Sequence, residues 1–152
     1  MTTFAERLNE LLLNAFQSVL KIEEQALHRM GTPGLSINEA HLMEAVAKGG
    51  ETGRSVSDLA KELSLAVASV TNAINKLERK GMLKRTRGEK DGRTVWITLT
   101  EAGARANRLH GHFHEMMVSS VAKNMDAEER KVLLKAMQNL NEHFDRRLIS
   151  QK

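Results

Sequence analysis

Within RLHGHFHEMMV, residues 108–118, three histidines alternate with other side chains: His110, His112 and His114. On a helix, His110 and His114 stand one turn apart on a shared face, a spacing at which two neutral imidazoles can hold a zinc ion. His41 on an earlier helix and a carboxylate of the first helix, Glu23 or Glu24, would complete four ligands, with Glu24 taken as the acidic member. The same groups can instead form a metal-free hydrogen-bonded cluster joining the first, second and fifth helices, or border a pocket for a small molecule or an acyl group. Hydrolytic chemistry is not expected. The zinc-protease pattern that starts at His114 and Glu115 needs a second histidine where Val118 stands. A glycine-rich phosphate loop and a nucleophile elbow are both missing from the sequence, so no enzyme is expected.

The elements that must position these residues are mainly helical. Residues 3–30 carry a broad apolar stripe that includes Phe4, Leu8, Leu11, Leu12, Ala15, Phe16, Val19, Leu20 and Leu27. Ser36 with Glu39 caps a short helix that ends near Lys48 and holds His41, and the loop from Lys48 to Arg54 follows. Ser55 is the expected N-cap of VSDLAKEL, with Asp58 reaching back to the free amide and Leu59 and Leu63 facing inward. After Ser64 and Leu65 a second helix buries Val70, Ile74 and Leu77 and stops at Gly81. Its other face carries Ala68, Ser69, Thr71, Asn72, Asn75 and Lys76. Small groups, hydroxyls and amides of this kind suit a helix lying in a major groove, where they can read base edges. Leu83 then opens a basic hairpin, with Lys90, Asp91 and Gly92 as its turn and the strand-forming run from Thr94 to Thr98 as its return. Helix, turn, helix and hairpin in this order are a winged helix-turn-helix, spanning about residues 36–99.

Charge points the same way. Between Lys76 and Arg93 stand eight cationic and three anionic residues, so this segment is +5 while the whole chain is +4. The basic excess is therefore local, as expected of a phosphate-binding footprint to which Arg87 and Arg93 of the hairpin belong. Five aromatic residues, Trp96 and four phenylalanines, make a stacking platform for single strands improbable. Duplex DNA is the expected partner.

Residues 56–85 (VSDLAKELSLAVASVTNAINKLERKGMLKR), the turn Asp91–Arg93 and LTEAG from Leu99 to Gly103 together resemble the MarR family of bacterial transcription regulators. The family pattern usually has two arginines after the aspartate. Here Gly92 takes the first place and Arg93 keeps the second, so the resemblance implies a minor-groove arginine without its neighbour's phosphate contact. VLKIEEQAL, INEAHLMEAV and RLHGHFHEMMV resemble still more the MarR-type repressors of bacterial fatty-acid synthesis, which share His41, His110 and His114 and respond to acylated acyl carrier protein. Some zinc-responsive members of the family use a carboxylate and histidines in similar positions. The resemblance runs from about Val19 to Asp145.

The remaining helices extend over 100–123 and 127–150, the last capped by Asp126 with Glu129 and seamed by Val132, Leu133, Leu134, Met137, Leu140, Phe144 and Leu148. Apolar stripes at both ends of the chain need a covering surface, and the resemblance implies a second copy, with helices 3–30 and 100–150 interleaved in a two-fold dimer. A dimer sets two recognition helices roughly 34 Å apart and implies a near-palindromic operator. One domain is expected over residues 1–152. Eight methionines, among them Met30, Met43, Met116 and Met117, are read as core filling before pocket lining. With no cysteine, disulfides, thiolate metal sites and cysteine redox switching are excluded. Glu6 and Glu10 interrupt the N-terminal stretch, and no 18-residue apolar run occurs, so neither a signal peptide nor membrane association is expected and the location is taken as cytoplasmic. No cofactor is required on this reading, zinc being the one that the histidines could take.

Overall fold

The computed structural model describes residues 3–31, 34–89 and 92–149. Its elements run α1 (Phe4–Arg29), α2 (Ile37–Ala47), β1 (Arg54–Ser55), α3 (Val56–Leu63), α4 (Val67–Arg79), β2 (Leu83–Arg87), β3 (Val95–Leu99), α5 (Glu101–Ala122) and α6 (Ala127–Ile149). This is the expected mainly helical fold with a small β-wing. The strand β1 was not anticipated, because two residues carry no periodicity that a sequence reading can detect. It pairs with β3, which also pairs antiparallel with β2, giving the sheet order β1-β3-β2. The turn residues Lys90 and Asp91 lie outside the described residues.

The chain divides into two compact units, Met1–Phe113 and His114–Lys152. In the first, Leu42, Met43, Val46, Leu59, Val70, Ile74, Leu77, Leu83 and Ile97 form one buried cluster that locks α2, α3, α4 and the sheet together. The face of α4 that carries Val70, Ile74 and Leu77 is thereby fixed inward. Its polar face has no choice but to point out.

Local chemistry sets the boundaries. Ser36 Oγ accepts from the Glu39 amide while Glu39 reaches back to the Ser36 amide, a complete capping box. Ser55 Oγ likewise accepts from Asp58 N–H at 3.1 Å. The return contact expected of Asp58 is not among the bonds formed, since its side chain is one methylene shorter than glutamate. Between α3 and α4 the backbone turns sharply through Ser64, at φ 53°, with Leu65 N–H donating to Ala60 O. Gly103 sits where α5 leaves the sheet, and a Cβ there would lie 2.0 Å from Met82 O, so only glycine allows this approach.

Outside the buried cluster the long helices are poorly covered. Of α1, Glu23 and Leu27 are buried, whereas Phe4, Leu8, Leu11, Phe16, Val19 and Ile22 are exposed. In the second unit, Asp126 and Glu129 form their capping box at the start of α6. No described side chain of α6 is buried, and Val132, Leu134, Phe144 and Leu148 stand exposed. Of the methionines expected as core, Met43 is 1% exposed and Met116 is 56% exposed, so that reading holds for the first and not for the second.

Candidate nucleic-acid interface

The polar face of α4 presents Ala68, Ser69, Asn72 and Lys76 as exposed side chains, with Thr71 and Asn75 half-buried on the flank toward the wing. Alanine and serine at its N-terminal end keep the surface shallow there. Next to it, β2 carries Lys84 and Arg87 exposed, and Arg93 is exposed at the far end of the hairpin. The hairpin itself is closed by Gly88 N–H to Thr94 O at 2.9 Å and by Gly92 N–H to Gly88 O at 3.1 Å. One helix face rich in hydroxyls and amides and a projecting cationic hairpin thus lie on one module.

Arg85 and Lys80, two cations of this segment, are held in structural pairs. Arg85 donates to Asn75 Oδ1 at 2.7 Å through Nη2 and binds Glu78 through Nη1. Lys80 donates to both oxygens of Glu39, at 2.9 and 2.7 Å, and to Gly34 O. Burial alone would raise the Glu39 pKa, but the hydrogen bonds from Lys80 and Ser36 outweigh it and hold the carboxyl below its ordinary value of 4.5. Lys76, Arg79, Lys84, Arg87 and Arg93 are further exposed cations of the segment.

A carboxylate–histidine cluster joins α1, α2 and α5. Glu23 Oε1 accepts from His41 Nε2 at 2.9 Å and from His110 Nε2 at 2.6 Å. An ionised Glu23 carboxylate can only accept, so toward it each ring presents a proton on Nε2. The carboxylate and His110 are almost fully buried, while His41 is partly exposed. Burial pushes the Glu23 carboxyl up, and the hydrogen bond from His110 and the field of His41 more than reverse it, so the net shift is downward. Glu23, and not Glu24, is the acidic member. On α1, Glu23 lies one turn before the buried Leu27 and turns inward with it, whereas Glu24 is rotated onto the exposed side. Glu23, His41 and His110 each offer a ligand atom within 4.8 Å of the others. His114 follows one turn later along α5.

Close to the cluster, Ile22, Gln25, Ala26, Arg29 and Met30 of α1 and its C-cap, with Leu109 and Phe113 of α5, line a cavity of about 550 Å³. Its walls are apolar apart from Gln25 and Arg29. Nothing in the sequence points to it directly, because its walls come from α1 and α5, which are far apart in the chain.

A family model described as MarR family matches residues 34–94. The chain is similar to FabT of Streptococcus pneumoniae, solved in complex with DNA: 36% identity, TM-score 0.87, covering 93% of this chain and 97% of that one. The transcriptional regulator ZitR of Lactococcus lactis is 28% identical over 144 residues, 93% of this chain and 88% of that protein. YwhA of Bacillus subtilis, an HTH-type transcriptional regulator, is 35% identical over 79 residues, and this chain spans 57% of its length.

Proposed function

Because the chain belongs to the MarR family of DNA-binding transcriptional regulators, we propose that it acts in the cytoplasm as a homodimeric repressor of fatty-acid synthesis genes, controlled by an acyl group delivered on acyl carrier protein. The observation that carries DNA reading is the exposed face of α4, Ala68, Ser69, Asn72 and Lys76, held rigid by the buried Val70, Ile74 and Leu77 behind it. Major-groove recognition needs such preorganised donors and acceptors, and the cations of the hairpin supply phosphate and minor-groove contacts beside them. The exposed apolar residues of α1, and separately those of α6, support a second copy as their cover. Two copies related by a two-fold axis imply two half-sites about 34 Å apart.

The fatty-acid assignment is supported by the similarity to FabT and by the resemblance to repressors of that pathway. The cavity lined by Ile22, Ala26, Met30, Leu109 and Phe113 is of ligand size and apolar enough for an acyl chain, and Arg29 at its wall suits an acidic carrier. For such a group to act as a corepressor it must bind the DNA-competent arrangement more tightly than the alternative.

A second reading, a zinc-responsive regulator, is favoured by one observation, the convergence of Glu23, His41 and His110. A carboxylate oxygen and imidazole nitrogens are a fitting donor set for zinc. Bound zinc would supply a fixed link between α1, α2 and α5 in place of the two hydrogen bonds to Glu23 Oε1. Capture of fragmented genomic DNA by the purified protein, followed by sequencing, tests both. Recovery of fatty-acid synthesis promoters supports the first reading, and recovery of metal-transporter promoters replaces it with the second.

A further inference from the structure

We propose that Arg85 is a specificity-positioning residue that restricts Asn75 to reading keto bases, guanine or thymine, at one position of each half-site. The inference rests on α4 being the helix that enters the major groove.

An asparagine side chain has an acceptor oxygen and a donor NH₂, and in a groove it commonly uses both at once, against N6 and N7 of adenine. Here that mode is blocked. Arg85 Nη2 lies 2.7 Å from the Asn75 side-chain oxygen, and a guanidinium has only donors, so the group facing it must be Oδ1 whichever way the amide is built. Glu78 binds the other arm of the same guanidinium and fixes it in place. Arg85 of β2 thus holds Asn75 and Glu78 of α4 by one arm each, and the Asn75 amide cannot rotate without breaking its bond to Arg85. What remains for the groove is Nδ2, a donor. Guanine offers O6 and N7 as acceptors, and thymine offers O4. Adenine keeps N7 as an acceptor but sets its exocyclic amine next to it, where a keto base has a second acceptor or an acceptor in place of the amine, and cytosine offers an amine alone, so the Asn75 donor is matched less well by either. The pair therefore works as a filter for the keto base on the strand facing Asn75.

The test is a competition binding assay in which every operator position is varied through all four bases, for the full-length protein and for Asn72→Ala, Asn75→Ala, Asn75→Asp and Arg85→Met. In the unaltered protein one position per half-site should favour guanine or thymine over adenine by about tenfold. Asn75→Ala should flatten that position alone. Asn75→Asp keeps the bond to Arg85 and the shape of the side chain but replaces the donor by an acceptor, and should turn the same position toward cytosine or adenine. Arg85→Met releases the amide and should raise adenine there. The proposal is overturned if the position that responds to Asn75→Ala already favours adenine, or if Asn75→Asp leaves its preference unmoved. Should neither Asn72→Ala nor Asn75→Ala change the preference at any position, α4 is not the reading helix, and the underlying DNA-reading model falls instead.

Discussion

Lys80 Nζ donates to both carboxylate oxygens of Glu39, joining the C-cap of α4 to the first turn of α2 across 41 residues of chain. Glu39 also completes the Ser36 capping box, so one carboxylate holds two elements. Helix α4 is thus tethered at its C-terminal end by a partly buried ion pair, while its middle is fixed by apolar packing.

Removing Lys80 leaves a buried carboxylate with one partner fewer, and Lys80→Ala should destabilise the fold by about 1–3 kcal/mol. The Glu39 pKa is lowered by folding, so its contribution to stability is present above pH 4.5 and is lost as pH falls through the depressed folded value. Glu39→Gln should flatten that part of the stability curve, below the ordinary carboxyl value of 4.5, measured by denaturant titration. A loss of equal size at every pH would show that the charge of Glu39 has no role.

Cations that reach phosphate and cations that hold the fold should separate by salt dependence. Lys84→Ala, Arg87→Ala and Arg93→Ala should each reduce the slope of log affinity against log salt by about 1. Arg93→Ala should weaken binding uniformly across operator variants. Arg85→Ala, whose charge is taken up by Glu78, should leave the slope near its original value. A slope unchanged by all three exposed substitutions would remove the wing from the DNA contact.

Asn72 is exposed on the reading face, and Asn72→Ala should narrow the difference between operator and mismatched duplex by about 1–3 kcal/mol while thermal stability stays within about 0.5 kcal/mol. Comparison of operator and mismatch titrations for the two proteins checks this. Equal losses on both duplexes would make Asn72 a phosphate contact only.

If the carboxylate–histidine cluster holds zinc, the purified protein should take up near one equivalent per subunit, and His110→Ala with His114→Ala should abolish uptake. Operator affinity should then fall or rise on addition of chelator. Elemental analysis that finds no metal, with DNA binding indifferent to chelator, assigns the cluster to hydrogen bonding that ties α1, α2 and α5 together.

What the sequence made legible was local. Capping boxes at Ser36 and Asp126, the buried spacing of Val70, Ile74 and Leu77, and the stop at Gly81 all depend on residues within one or two turns of each other. Contacts closed by tertiary structure were not readable in this way. Arg85 counted toward a phosphate footprint until its pairing with Glu78 and Asn75 was visible, and Lys80 until its pairing with Glu39 was. Choosing between Glu23 and Glu24 required the rotation of α1 against α2. The apolar stripe of α1 is too broad to fix that rotation, because much of it faces away from the buried cluster.

The most direct test of the account is a titration of labelled operator DNA from a fatty-acid synthesis promoter, at one salt concentration, with acylated carrier protein, unacylated carrier protein or zinc present in turn. A dimer should prefer this operator to random duplex and bind it more tightly with the acylated carrier alone, by tenfold or about 1.4 kcal/mol. An affinity that is unmoved by the acylated carrier but altered tenfold by zinc would contradict the lipid assignment and put the metal-responsive reading in its place.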